Sequence, residues 1–330
     1  MKAVTIPEFG DADALVLNDV EPPTAGPGEV LIDVVAAGVN RADVMQRLGY
    51  YPPPPGITDI PGLEVAGRIA AFGEGVAPDS SGYHIGEEVV ALLSGGGYAE
   101  QVAVPIGQLM PRPSNLSLTE AAGFIETAAT VWSNLFMTAH LAKGETVLLH
   151  GGSSGIGTTG IQIAKAKGAK VAVTAGSQAK LEACAQLGAD ILINYREQDF
   201  VEEVKKATNS RGADVILDVI GAKYLKRNID VLAPDGRIVT IGLLGGRKGE
   251  LDLGKLLNKR GTLAATSLRS RSVEGKSDIV RQVRENVVPL VETGHLKPVL
   301  HATFPLAQAP AAHRVLEESS HIGKVVLEVQ

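Results

Sequence analysis

Residues 146–180 read TVLLHGGSSGIGTTGIQIAKAKGAKVAVTAGSQAK. The apolar run 146–150 meets the glycines of 151–157 at once, and a second apolar run follows at 170–174. That order is strand, tight turn, helix, strand, the start of a βαβ unit. Backbone amides at such a helix start have no partner within the helix and favour a pyrophosphate. Two registers compete. Gly155-Ile-Gly157-Thr-Thr-Gly160 spells GxGxxG, whereas Gly152-Ser-Ser-Gly-Ile-Gly157 spells GxSxxG. The second is preferred because it begins at the strand end and puts Gly157 where helix and strand need a missing side chain. The expected pyrophosphate turn is therefore Gly152, Ser153, Ser154, Gly155, Ile156 and Gly157, with Gly160 left for helix packing.

About 20 residues beyond the fingerprint, a site for NAD carries Asp or Glu for the ribose 2′-hydroxyl. Here stand Gly176, Ser177 and, three residues on, Lys180. A carboxylate would repel a 2′-phosphate; glycine leaves room for one, and a hydroxyl and an ammonium neutralise it. The expected cofactor is NADPH.

The 330 residues exceed one typical domain, so two packed units are expected. A net charge of -6 with mixed signs gives no general attraction to nucleic acid or anionic lipid, so any basic site is local. The single cysteine, Cys184, excludes an internal disulfide framework and a cysteine-built zinc lobe. The N-terminal MKAVTIPEFGD meets proline and acids before any apolar stretch of signal length, and no run approaches 18 uncharged apolar residues. A cytoplasmic protein with no membrane span is expected. The seven histidines show no metal spacing, so no metal site is expected. Ser153 and Ser154 lack the context of a nucleophile elbow, which disfavours hydrolysis.

Up to about residue 113 the chain is rich in Gly and Pro with short β-branched runs at 29–35, 88–93 and 98–104, the texture of an irregular β-barrel. From about 118 the pattern becomes helical, with a helix over 121–138 and apolar strands at 170–174, 191–194, 214–219, 237–241 and 262–266. Such alternation predicts an α/β doubly wound parallel sheet. A helical stretch over 272–292, a strand at 299–304, a helix at 307–317 and a strand at 323–329 follow, the last strands returning to the first domain.

Several longer stretches are similar to one family over nearly the whole chain. They are Asn40-Arg-Ala-Asp-Val-Met-Gln-Arg47, Tyr51-Pro-Pro-Pro-Pro-Gly56, Pro61-Gly-Leu-Glu64, Ser94-Gly-Gly-Gly-Tyr-Ala99, the 151–157 turn, Ala175-Gly-Ser-Gln178, Thr266-Ser-Leu-Arg-Ser-Arg271 and Ile322-Gly-Lys-Val-Val-Leu327. The chain resembles the zinc-free medium-chain dehydrogenases/reductases, specifically the quinone oxidoreductases and their tumour-suppressor-inducible branch. The resemblance implies a discontinuous GroES-like barrel domain over 1–120 and 270–330, a Rossmann domain over 121–269, and an active site in the cleft between them.

Zinc-dependent alcohol dehydrogenases of the superfamily carry Cys near the position of Asn40 and Gly-His-Glu where this chain has Gly62-Leu63-Glu64. Asn and Leu supply neither thiolate nor imidazole, so a catalytic zinc is not expected. What remains is hydride delivery to a carbon or oxygen already activated by conjugation, as in a quinone or an enone. Asn40, Arg47 and Tyr51 are the candidate acceptor-binding residues, with Asn40 and Tyr51 as catalytic hydrogen-bond or proton donors; packing on the proline rings and a substrate-gate role stand as alternatives for Tyr51. Arg47 is expected to pair with Asp43, four residues earlier on one helical face. For the cofactor the resemblance adds Thr130 and Tyr195, and the carboxyl ends of the fifth and sixth sheet strands add Gly242, Leu243, Ser267, Leu268 and Arg269.

The leading expectation is an NADPH:quinone reductase acting on a small-molecule acceptor. Its alternatives are an NADPH-dependent reductase of activated double bonds in 2-alkenals, enones or enoyl thioesters, and a non-catalytic NADPH-sensing or RNA-binding relative. Net acidity and 4% aromatic content argue against an extended RNA surface. The family implies a homodimer through edge strands, with 262–266 as the candidate edge.

Overall fold

The computed structural model describes residues 1–76 and 82–329. Two compact units divide the chain: Met1–Ala129 with Leu268–Thr293 and Pro298–Gln330, and Thr130–Ser267 with Gly294–Lys297. Beside the borders expected at 120 and 270, these units divide inside a helix, before Thr130, and before Leu268. Arg269 therefore belongs to the first unit.

In the first unit, β1 (Lys2–Thr5) and β2 (Val16–Asp19) form a small antiparallel pair. The strands β3 (Glu29–Val39), β4 (Glu64–Phe72), β5 (Glu88–Leu92), β6 (Gln101–Pro105) and β7 (Leu109–Pro111) build the barrel sheet. Its organising member is β3, which pairs with both β4 and β6. Burial along β3 alternates from Val30 through Ile32 to Val34 and then becomes continuous from Ala36 to Val39. A half-buried strand thus turns into one covered on both faces.

The second unit holds β8 (Thr146–His150), β9 (Lys170–Ala175), β10 (Ile191–Asn194), β11 (Ala213–Asp218), β12 (Leu232–Thr240) and β13 (Thr262–Ala265). All pair in parallel, in the order β10-β9-β8-β11-β12-β13. This is the Rossmann-type sheet expected, and β8 and β11 are buried at every residue, as a sheet covered on both faces requires. Chain order reverses between β8 and β11, the switch point at whose carboxyl ends such sheets bind ligands. β12 begins earlier than the predicted 237–241, because Leu232 pairs with Ala213 across an irregularity at which Asp235 takes φ +61.

β14 (Leu300–Pro305) and β15 (Lys324–Glu328) return to the barrel, with β15 antiparallel to β3 and β14 parallel to β15. The helix predicted over 121–138 is three pieces. Leu118–Ala122 ends at Gly123, Ile125–Trp132 follows, and Ser133–Thr138 winds as a π-helix. In that wide turn the Asn134 amide donates to the Thr130 carbonyl at 2.8 Å. The helical stretch after Ser272 likewise splits, into Val273–Asn286 and Val288–Glu292, with Pro289 in the first turn of the second piece. Among the described residues no helix is long and apolar enough to cross a membrane.

Candidate functional site

The glycine turn takes the preferred register. Gly151 adopts φ +74, and Ser154 caps the helix Gly155–Ala166 by accepting from the Gly157 N–H at 3.1 Å. A Cβ on Gly157 would lie 2.4 Å from the Gly151 carbonyl oxygen, and one on Gly152 would lie 2.6 Å from Val173 Cβ. Gly157 is therefore required by close backbone approach, and Gly152 by the packing of the Val173 and Cys184 side chains. Ser154 Oγ also donates to the Gly151 carbonyl at 2.8 Å, so this hydroxyl organises the turn. Ser153 is buried beside it. The turn rests on His150, whose ring bonds Thr174 Oγ1 and Asn228 Oδ1 and meets Phe200 and Tyr224 edge-on. Burial brings the His150 pKa down to about 4, with Arg227 adding to the fall and the Asn228 bond opposing it. The imidazole is a neutral core member.

At the end of β9 the second half of the cofactor set converges. The Cβ absent from Gly176 would stand 2.7 Å from Tyr195 Oη and 3.3 Å from Arg196 Nε. Lys180, half-buried on the helix Gln178–Gln186, has its pKa lowered by burial and by the nearby Arg196. Two cations thus stand close to a glycine against which the Tyr195 phenol packs, with Ser177 next to it and no carboxylate at that position. Arg196 was missed in the sequence. Its signal was its place next to Tyr195, just past the end of β10.

At the switch point, Asp218 ends β11 and caps the following turn by accepting from Ile220 N–H at 2.8 Å and Gly221 N–H at 3.1 Å. Gly242 packs against that turn, where a Cβ would come within 2.8 Å of the Val219 carbonyl oxygen, and Leu243 beside it is exposed. Ser267 is exposed at the end of the sixth strand, Leu268 is half-buried, and Thr130 is buried on its helix.

In the barrel unit, Asn40 caps the helix Arg41–Arg47. Its amide is spent internally: Nδ2 donates to Glu64 Oε1 at 3.1 Å and to the Gly38 carbonyl at 3.4 Å, while Oδ1 accepts from Lys324 Nζ at 2.6 Å. Lys324 completes its shell with the Val39 carbonyl and an ion pair to Glu64 at 2.8 Å. Gly38 permits this cluster, since a Cβ there would fall 2.3 Å from Glu64 Oε1. The free amide donor expected of Asn40 is therefore not what the fold presents.

Arg47 also departs from expectation. It is fully buried and binds Glu317 through both terminal nitrogens and the Gly10 carbonyl through Nε. The Asp43 oxygens instead accept from Asn40 N–H, Gly62 N–H and Tyr98 Oη. Arg47, a candidate acceptor contact, is thus engaged by Glu317 and the Gly10 carbonyl. Burial raises the Asp43 pKa to about 6 against those bonds. Tyr98 Oη also lies 3.1 Å from His313 Nε2. With Tyr98 donating to Asp43, His313 donates through Nε2, which leaves its buried Nδ1 without a partner. Burial and the adjacent Arg47 and Arg41 push the His313 pKa down to about 3.

Tyr51 begins the proline loop and is half-buried. Arg269, expected at the cofactor, is instead 4% exposed within the barrel unit, where its guanidinium lies 5.3 Å from the Tyr51 ring centroid and donates to the Tyr51 carbonyl at 3.1 Å. All three of its guanidinium nitrogens are engaged, by the Tyr51 carbonyl, Gln46 Oε1 and the Ser94 carbonyl.

Residues 26–114 match the model of the alcohol dehydrogenase GroES-like domain, and residues 155–285 match that of the zinc-binding dehydrogenases. The chain is 32% identical to the quinone oxidoreductase of Rattus norvegicus over 99% of its own length and 97% of the relative's. Among solved structures, Escherichia coli quinone oxidoreductase complexed with NADPH superposes with a TM-score of 0.88 at 28% identity, each chain covered completely. An NAD-dependent alcohol dehydrogenase gives 0.87 at 33%, again with complete coverage of both, and CurK enoyl reductase 0.85 at 30%, covering 100% and 99%. The zinc of the family model finds no fitting donors here. Where the family likeness puts its ligands stand Leu63 and Asn40, the latter bound to the Lys324 ammonium, and no three His, Cys, Asp or Glu cluster among the described residues.

Proposed function

Because the chain belongs to the quinone oxidoreductase family of the medium-chain dehydrogenases/reductases, we propose that it reduces quinones by metal-free hydride transfer from NADPH. The observation that carries the cofactor choice is the pair of cations Arg196 and Lys180 at the end of β9, where Gly176 stands packed against Tyr195 and supplies no carboxylate. A site for the unphosphorylated nucleotide carries a carboxylate at that place. NADPH, when bound, supplies the hydride.

The residues of the chain do the rest. The amides at the start of the helix Gly155–Ala166 hold a pyrophosphate, in a turn that Ser154 keeps open. Ser177, Lys180, Tyr195 and Arg196 hold the 2′-phosphate. Gly242, Leu243, Ser267 and Thr130 border the nicotinamide half, and Leu268 contributes packing. Since the Asn40 amide is engaged by Glu64 and Lys324, hydrogen bonding or protonation of the acceptor oxygen falls to Tyr51. Asn40 acts indirectly, through the start of the helix that carries Gln46. Two copies pair through β13.

Steady-state rates with NADPH and NADH against 1,2-quinones, 1,4-quinones and 2-alkenals test this reading. Turnover of quinones with NADPH preferred is expected; turnover of alkenals alone overturns the quinone assignment. Reduction of activated double bonds is the second reading, favoured by the likeness to an enoyl reductase structure.

A further inference from the structure

The proline loop 51–59 is held at one end by Arg269 directly and at the other by Gln46, which Arg269 bonds. Arg269 Nη1 donates to the Tyr51 carbonyl at 3.1 Å, and Nη2 donates to Gln46 Oε1 at 2.8 Å. The other end of the same Gln46 amide, Nε2, donates to the Asp59 carbonyl at 2.8 Å. The third arm, Nε, donates to the Ser94 carbonyl at 2.7 Å. Behind it, Lys276 Nζ bonds Ser94 Oγ and lies 3.4 Å from the Arg269 carbonyl. The glycine turn is shaped to the loop, since Cβ atoms on Gly95 and Gly96 would fall 3.0 Å from Ile57 Cγ2 and 3.3 Å from Thr58 Cγ2.

Arg269 and Lys276 are 4% and 5% exposed, and among the described residues neither has a carboxylate within ion-pair distance. Two buried like charges satisfied only by neutral acceptors are a costly way to pack a loop, because a desolvated cation wants a counter-charge. What they achieve is geometry. The planar fork fixes three segments at once, which a lysine or an apolar side chain does not reproduce. Tyr51 gains a fixed carbonyl and a cation near its ring, and four consecutive prolines transmit that constraint along the loop.

We propose that Arg269, backed by Lys276, is a positioning residue that clamps both ends of the 51–59 loop, one directly and one through Gln46, and thereby sets which acceptors Tyr51 admits. This rests on reading Tyr51 as an acceptor contact. Hydrogen exchange and kinetics separate the two ideas. In Arg269→Met the amides of Tyr51 and of residues 56–60 exchange at least ~10-fold faster than in the unmodified protein, and Arg269→Lys, which keeps the charge but loses the fork, does not restore them. Unchanged exchange in Arg269→Met, or full recovery in Arg269→Lys, overturns the clamp.

In steady state, Arg269→Met raises KM for a bicyclic 1,4-quinone by ~10-fold while kcat changes less than about threefold and NADPH affinity holds. The double variant Tyr51→Ala/Arg269→Met is then no worse than Tyr51→Ala alone. Multiplying effects show that Arg269 acts elsewhere and overturn the selectivity claim. If Tyr51→Ala by itself leaves every acceptor KM unchanged, the acceptor reading of Tyr51 falls, and selectivity through it falls too, while exchange still decides the clamp. Should Arg269→Met fail to fold, Lys276→Met leaves the fork intact and removes its backing. A smaller acceleration confined to the same amides supports the clamp, and no acceleration overturns it.

Discussion

The Cβ that Gly176 lacks would lie 2.7 Å from the phenolic oxygen of Tyr195. That spacing makes the end of β9 a place where a side chain and the Tyr195 hydroxyl exclude one another, and Arg196 stands on the same side. Gly176→Asp displaces the Tyr195 hydroxyl and sets a carboxylate beside Arg196. NADPH affinity is expected to fall by ~100-fold or more and NADH affinity to hold or rise. Lys180→Met and Arg196→Met each remove one charge-assisted bond to phosphate, costing about 1.5–3 kcal/mol, or ~10–100-fold for NADPH alone. Fluorescence titration with both nucleotides reads the outcome. Equal losses for the two would mean that these residues do not meet a 2′-phosphate.

Acid stability turns on three buried groups. His150 and His313 have folded pKa values lowered from 6.5 to about 4 and about 3. Below 6.5 the unfolded chain binds protons that these imidazoles refuse, so the stability each contributes above pH 6.5 is lost as pH falls toward its folded value. Asp43 opposes them: its pKa is raised from 3.8 to about 6, so its contribution is greatest below 3.8 and declines as pH rises to 6. Between pH 4 and 6 two groups outweigh one, and the fold weakens on acidification. His150→Gln removes one of the two. Urea unfolding from pH 8 to pH 4 is expected to show the variant losing less stability than the parent, by up to ~3 kcal/mol. Parallel curves would mean that His150 is protonated in the fold.

The glycine turn was legible because local chemistry dictates it. Gly151 needs positive φ, Ser154 caps its own helix, and every partner lies within a few residues. The arginines were not legible. Helical spacing pairs Arg47 with Asp43, yet its partner Glu317 lies 270 residues away, and Asp43 accepts instead from Tyr98 and the Gly62 N–H. Arg269 followed the sixth strand and read as a cofactor contact, whereas its fork reaches back 175 residues to Ser94 and 218 to Tyr51. Side chains that bridge distant segments carry no periodic signature, and only the fold shows what they join.

Lys324 and Glu64 form an ion pair whose side chains are 5% and 0% exposed. Removing one partner strands the other charge without solvent. Lys324→Met is expected to cost about 3–5 kcal/mol, whereas Glu64→Gln/Lys324→Met recovers part of that loss by discarding both charges. Urea midpoints at neutral pH distinguish the cases. A double variant less stable than Lys324→Met would show that Glu64 matters through its bonds to Asn40 and the Glu126 N–H. Added zinc is expected to leave the rates of the parent protein unchanged, since the ammonium holds the ground that a ligand set would need.

β13 ends the parallel sheet with one edge unpaired, and Thr262 and Leu263 on it are exposed. The helix before it, Leu253–Asn258, leaves Leu253 and Leu257 at 67% and 75% exposure. A strand edge flanked by bare leucines invites pairing, and a second copy meeting it across a two-fold axis would extend the sheet and cover the leucines together. Equilibrium sedimentation at micromolar concentration is expected to give twice the 34.4 kDa chain mass. Leu257→Glu places a charge in that contact and should weaken association by ~100-fold, making the thermal midpoint depend on concentration. Cofactor affinity in the resulting monomer should stay within about twofold, because Leu257 is not in the proposed cofactor set and Ser267, which is, lies beyond the carboxyl end of β13. A parent protein that sediments at the single-chain mass would leave the edge to some other cover and refute the pairing.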